Sequence, residues 1–305
     1  NGERFYKIDP TTGQPVQLSV PNLYQDNAAY LDQFTRVGDR LYFRDYAYLN
    51  LYTIDPATGN VVQVSGAQYV QYLTNVNGTL YFQGYNSASG YELYRINNTT
   101  GNAVLIDVVT GSGSSSPQNF TNVNGTVFFT ANNSANGTEL WKLDASGNPV
   151  LVKDIRTGSN SSSPTTLYAV GNVLYFTADD GVNGRELWRS DGTAQGTVPL
   201  EIYIGSSTPN VSNLIDLGGV LYFTANNPTY GTELWRINST TGNPEVVDVH
   251  SGASSSSPAN LTNVNGTLYF TATTSATGTE LYRINNTTGN PVLIDINSAG
   301  SGSSS

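Results

Sequence analysis

His250 is the only imidazole in 305 residues, and there is no cysteine. Any Ser-His-acid relay would therefore rest on that one ring, and neither thiolate nucleophiles nor thiolate metal sites exist. His250 falls where a strand runs out into a Ser-rich segment, so it reads as a surface residue. The densest acidic spot is Asp179-Asp180, followed by Asn183 and Asp191. Hard cations favour such oxygen clusters, which makes Asp179, Asp180 and Asp191 the calcium candidates. Their spacing fits no EF-hand loop, so capping of turns is the favoured role and no cofactor is expected. No phosphate loop or dinucleotide motif is present, and no catalytic pair of carboxylates stands out.

Other polar groups recur too often to be catalysts. Glu139, Glu186, Glu233 and Glu280 each precede Leu-Trp or Leu-Tyr at a fixed spacing. A catalyst is needed once, so these read as structural, bonded to turn amides or to a neighbouring repeat. Trp141, Trp188 and Trp235 read as packing for the same reason. Asn-x-Ser/Thr sequons are dense, with Asn98, Asn160, Asn210, Asn238 and Asn286 as glycan-attachment candidates. Tyr24, Tyr30, Tyr46 and Tyr48 crowd the start of the chain outside the repeated pattern. Tyrosine joins a large apolar face to a polar tip, so these four are the candidates for a subunit interface.

The elements that carry these residues form a tandem array, and periods of 40–50 residues are the mark of repeat folds. LTNVNGTLYF occurs unchanged at 73–82 and 261–270, with FTNVNGTVFF at 120–129. The aromatic triplet begins at Leu41, Leu80, Val127, Leu174, Leu221 and Leu268, a step of 39 followed by four of 47. In residues 260–296, NLTNV and TLYFTA flank Asn265-Gly266, the strongest two-residue hairpin signal. TELYRI and PVLIDI supply two more strands around the NNTTGN turn. Strands alternate their side chains, so Leu and Phe of LYF point one way and Tyr the other. Both faces are apolar, and each small sheet must be covered on both sides. A blade between two other blades meets that requirement, whereas a lone blade does not.

The predicted fold is therefore all-β: a β-propeller of four-stranded antiparallel blades, read as one domain over 1–305. Six complete blades are expected at 33–65, 71–108, 118–155, 165–204, 212–249 and 259–297. Residues 2–18 align with 278–294 and supply an N-terminal half blade, and 298–305 resemble a linker. A seventh blade needs two further strands. They could come from chain beyond Ser305 or from a neighbouring copy; otherwise six blades close alone.

Blade four carries LYFTADDGVNGRELWRSDGTAQGTVPL (174–200). This stretch resembles the ELWxxDGT repeat of large secreted bacterial proteins, and Glu186, Leu187, Trp188, Asp191, Gly192 and Thr193 match it directly. Blades three and five keep Glu-Leu-Trp but lose Asp-Gly-Thr, and blades two and six weaken Trp to Tyr. The resemblance implies a surface or matrix role rather than a reaction. Ser190-Asp191-Gly192-Thr193 lacks the Ser-x-Asp-x-Gly-x-Thr-Trp spacing of the sialidase Asp-box.

Composition narrows the partners. A net charge of −10 and a pI near 4.4 disfavour nucleic acid, which needs a basic face. Apolar runs are too short to span a membrane. Few lysines, much Ser/Thr/Asn/Gly and the acidic balance fit an extracellular or cell-surface bacterial protein. The opening NGERFYKID and the absence of Met read as a processed or excised product. The expected function is non-enzymatic: a building block of a surface filament, layer or matrix, assembling with copies of itself through propeller edges. A carbohydrate-binding or adhesion propeller is the alternative, with glycans as partners, and a glycan-active enzyme a distant third.

Overall fold

The computed structural model describes residues 5–9, 11–20, 31–203, 205 and 208–294. Tyr24 and Tyr30 lie outside them. The described residues form strands and turns with no helix. Six four-stranded sheets follow one another, each an antiparallel meander in which neighbours in sequence are neighbours in the sheet. They span 31–63, 68–106, 118–153, 165–200, 212–247 and 259–294, here called blades 1 to 6. A two-stranded sheet, Phe5–Ile8 with Pro15–Leu18, precedes them. The blades fall within a few residues of the expected bounds, and blades 1 and 2 begin earlier than expected, at Leu31 and Gln68.

The two sequence markers of each repeat meet across the middle of its sheet. Phe of the LYF triplet registers opposite the aromatic residue of the second marker: Phe43 with Tyr52, Phe82 with Tyr94, Phe176 with Trp188 and Phe270 with Tyr282. Their rings stack at 5.7–6.4 Å between centroids. Such cross-strand aromatic pairs are the unit from which a sheet gains side-chain stability. Asn77-Gly78, Asn124-Gly125 and Asn265-Gly266 all take positive φ at both residues, the geometry a two-residue hairpin requires.

Packing between blades follows the alternation. Leu80, Phe82 and Tyr94 of blade 2 are buried against Val37, Tyr42 and Leu51 of blade 1. On the opposite face of blade 2, Val76 and Leu93 pack with Val127, Phe129 and Trp141 of blade 3. Blades 4 and 5 repeat the pattern through Tyr175 and Leu187 against Leu221, Phe223 and Trp235. The two-stranded sheet does for blade 1 what a preceding blade does elsewhere. Leu18 and Phe5 cover Phe43 and Tyr52, and the Phe5 and Phe43 rings lie 5.2 Å apart.

The chain divides into two compact units, Asn1–Leu151 and Val152–Ser305. The first holds the two-stranded sheet, blades 1 and 2 and most of blade 3; the second holds blades 4 to 6.

Candidate functional site

Five blades share a period of 47 residues, so each position can be compared with its counterparts inside one molecule. What recurs belongs to the architecture, and what departs is the candidate for function. The glutamate before Leu-Trp/Tyr shows the rule. Glu92 accepts hydrogen bonds from Val108 N at 2.9 Å, Ser115 N at 2.8 Å and Ser115 Oγ at 2.7 Å. Glu233 does the same with Val249 N, Ser256 N and Ser256 Oγ at 2.9, 2.7 and 2.6 Å. Each carboxylate locks the linker leaving its blade. Burial pushes both carboxyls up, and these bonds pull them back.

Glu186 departs from the rule, and treating the repeated glutamates as one class hid it. It is only 2% exposed, yet among the described residues neither carboxylate oxygen has a hydrogen-bond partner. The position of Ser115 and Ser256 is taken in this linker by Pro209. The equivalence is structural: Pro209 O accepts from Asn226 N as Ser115 O does from Asn132 N and Ser256 O from Thr273 N. Proline has neither an N–H nor a hydroxyl. Ile202 N, the counterpart of Val108 N, draws the pKa down but falls short of hydrogen-bond geometry. Desolvation therefore dominates, with Glu201 and Asp180 adding repulsion, and raises the Glu186 pKa to about 7. Pro209 in a serine slot was the sequence signal.

The acidic candidates beside it are occupied with turns. Asp179 Oδ1 accepts from Gly181 N at 2.7 Å, and its Oδ2 lies 3.5 Å from Arg156 Nη1. Asp180 accepts from Val182 N, Asn183 N and Asn183 Nδ2, each at 2.8 Å. Asp191 accepts from Thr193 N and Oγ1 at 2.8 and 2.7 Å. Among the described residues no group of three or more His, Asp or Glu side chains is arranged to hold a metal.

His250 is half-buried rather than a simple surface residue. Its Nε2 lies 3.3 Å from Ser275 Oγ, while Nδ1 is buried without a partner among the described residues. A hydrolytic relay needs an acid on Nδ1 to fix the tautomer and stabilise the imidazolium. The pair lacks that third member among the described residues.

Of the interface candidates, Tyr46 and Tyr48 are 64% and 48% exposed on the loop joining the second and third strands of blade 1. The sequons fall in two settings. Asn98, Asn238 and Asn286 sit in turns with Nδ2 bonded to Gly78 O, Glu245 Oε2 and Gly266 O respectively. Asn160 and Asn210 are exposed in linkers.

A set of tyrosines in blade 2 went unremarked in the sequence. Tyr85 and Tyr91 face each other across its second and third strands, Thr79–Asn86 and Gly90–Ile96. In blades 3, 5 and 6 the equivalent pairs are Asn132–Thr138, Asn226–Thr232 and Thr273–Thr279, hydrogen-bonded at 3.1, 3.1 and 2.7 Å. Tyr69 replaces the serine that blades 3, 4 and 6 carry as Ser116, Ser163 and Ser257, all at positive φ. The Tyr69–Tyr85 and Tyr85–Tyr91 ring centroids are 5.6 and 5.0 Å apart, at interplanar angles of 65° and 50°. Beside Tyr85 opens a cleft of about 370 Å³ lined by Asn50, Gln63, Gln68 and Asn86. A larger cleft of about 470 Å³ between blades 5 and 6, near Tyr222 and Gly266, has a counterpart between blades 2 and 3 near Tyr81 and Gly125, three periods earlier. That one repeats and is architectural; the tyrosine surface is not.

The order of blades and the paired faces have matches among solved structures. The fold is a β-propeller. This chain is similar to a dipeptidyl peptidase 4 from Porphyromonas gingivalis, at a TM-score of 0.58 and 12% identity, over 96% of this chain and 48% of that one. It is also similar to a prolyl endopeptidase, at a TM-score of 0.53 and 14% identity, over 93% of this chain and 44% of the other. The chain thus spans less than half the length of these two structures. No family model and no curated protein matches the sequence.

These neighbours correct the expected function. A non-enzymatic filament, layer or matrix subunit was inferred from uniform repeats and scarce chemistry, with a glycan-binding or glycan-active propeller behind it. The two solved structures to which this chain is similar are peptidases, which corrects both that inference and the expectation that no enzyme is involved. Its physical premise was too narrow. Uniform blades with few singular groups are equally what a scaffold needs when reacting groups are carried elsewhere in a protein.

Proposed function

We propose that this chain is the propeller part of a peptidase-type enzyme. The observation that supports it is the asymmetry of the match, with 93–96% of this chain lying on 44–48% of two peptidases. In this reading the blades are a rigid, non-reacting wall, and the groups that attack the peptide bond belong to the remainder of the protein. The incomplete His250–Ser275 pair agrees with that division. The prolyl endopeptidase is one in which inter-domain dynamics have a role in catalysis and specificity. In this reading the propeller part of this chain likewise serves catalysis and specificity by its motion relative to the reacting groups. We assign the enzyme to the cell exterior, on the lysine-poor, acidic, Ser/Thr/Asn/Gly-rich composition and the resemblance to ELWxxDGT-repeat proteins.

The test is hydrolysis by the full-length protein of a panel of peptidyl 4-nitroanilides, including prolyl and dipeptidyl members. Saturable release of nitroaniline from at least one member is the expected result. Absence of turnover across the panel overturns the proposal.

A further inference from the structure

The two-stranded sheet ahead of blade 1 is built as the outer half of a blade. Phe5, Tyr6, Lys7 and Ile8 pair with Leu18, Gln17, Val16 and Pro15. Leu281, Tyr282, Arg283 and Ile284 of blade 6 pair with Ile294, Leu293, Val292 and Pro291 in the same register. The turn closes in the same way, with Gly13 N donating to Asp9 O as Gly289 N does to Asn285 O. Lys7 Nζ reaches Gly59 O of blade 1 at 3.5 Å, as Arg236 Nη1 of blade 5 reaches Gly289 O of blade 6. Toward the blade that follows, this sheet therefore makes the contacts of a third and fourth strand.

Its other edge is open. In all six blades the third strand lies between the second and the fourth, whereas Phe5–Ile8 pairs with the fourth alone among the described residues. A strand flanked on one side leaves every second N–H and C=O without a ladder partner, a template for a further strand. The side chains report the same gap. Tyr6 and Ile8 are 47% and 64% exposed, while their counterparts Tyr282 and Ile284 are 6% and 1%. Tyr282 owes part of its cover to Phe270 of its own second strand, opposite it in register and stacked at 5.7 Å. Strand addition to an exposed edge is a general mode of recognition, and here the other blades specify the occupant. It is a hairpin of a first and a second strand, with an aromatic triplet whose Phe lies opposite Tyr6.

The source of that hairpin follows from what is already used. All six aromatic triplets of the sequence serve as second strands of complete blades. A second copy of these residues has no spare hairpin to lend, and would have to dismantle one of its own blades.

We propose that the free edge of Phe5–Ile8 binds a β-hairpin of the repeat's first-and-second-strand type, carried by the full-length protein outside residues 1–305, and that this hairpin completes a seventh blade. The proposal rests on the reading that this chain is part of a longer protein, and not on that protein's being a peptidase.

The experiment reads the full-length protein in two ways. Hydrogen exchange resolved to single amides needs no substitution. Every amide of Phe5–Ile8 is expected to exchange about a hundredfold or more slower than in an unstructured peptide, the behaviour of a strand flanked on both sides. Alternate amides exchanging at the unstructured rate would mean a bare edge and overturn the proposal. The second readout is photo-crosslinking from p-benzoylphenylalanine in place of Tyr6, with isotopically light and heavy protein mixed. The expected product joins position 6 to an aromatic triplet outside residues 1–305, within one isotopic form. A crosslink to a segment without such a triplet, to a residue inside 1–305, or between light and heavy copies overturns the proposal. Protection and the expected crosslink without nitroanilide turnover would refute the peptidase assignment while the seventh blade stood; turnover with a bare edge would remove the seventh blade alone.

Discussion

Glu186 makes the protein's stability depend on pH in a direction opposite to most carboxylates. Its carboxyl is buried without a partner among the described residues, and desolvation raises its pKa from an ordinary 4.5 to about 7. The folded protein therefore keeps a proton on Glu186 that the unfolded chain releases. Stability from this group is fully present below about pH 4.5 and is lost as pH climbs through 7. At 1.36 kcal/mol per pH unit the loss totals about 3 kcal/mol once the solution is well above pH 7. For a body the size of the second compact unit, this corresponds to roughly 6–12 °C in melting temperature. Glu186→Gln supplies an amide of the same shape that never ionises. It should match the parent near pH 4.5 and exceed it by about 3 kcal/mol at pH 8.5.

The assay is denaturant unfolding of the parent and E186Q at half-unit steps from pH 4.5 to 9, taking the difference between the two curves so that other titrations cancel. A difference that grows between pH 5.5 and 8 and then levels off fits the account. Parallel curves would refute it, since they would mean that Glu186 is ionised or hydrogen-bonded throughout. Pro209→Ser gives a second check by restoring the donors that Ser115 and Ser256 supply elsewhere. It should pull the Glu186 pKa back toward the carboxylate range and flatten the same difference curve.

Two further outcomes follow from the repeat. Ser256→Ala removes the hydroxyl that Glu233 accepts while keeping the N–H, and should cost about 1.5–3 kcal/mol because the acceptor is charged; the same change at Ser254, exposed in the same linker, should be within measurement error in the same unfolding assay. Phe223→Ala deletes a ring with no exposed surface at the centre of the blade 4–5 core and should cost about 3–5 kcal/mol; a loss below about 1 kcal/mol would show that the two blades do not share a core.

The fold was legible because its determinants are local and repeated. Leu-Tyr-Phe spells alternate burial, Asn-Gly spells the hairpin, and Gly/Ser-rich segments cannot be strands. What sequence could not show was the bulge in every first strand. Gln33, Tyr72, Asn119, Thr166, Asn213 and Asn260 all sit there at φ of 51–60°. No common side chain marks that position, because the bend is imposed by pairing with the next strand and not by the residue's own preference. The candidate site was legible only in pieces. Tyr46 and Tyr48 stand out because they lie outside the repeat, whereas Tyr85 and Tyr91 lie inside it, where only a position-by-position comparison of blades exposes them.

That comparison also explains why the two departures differ in kind. An Asn–Thr pair exchanged for Tyr–Tyr adds exposed apolar surface, which costs the isolated protein and gains only when covered. A serine exchanged for proline removes donors from a buried acid, which costs the folded state directly and gains nothing in packing. Neither change improves the blade that carries it, since the other blades show that the same fold manages without them.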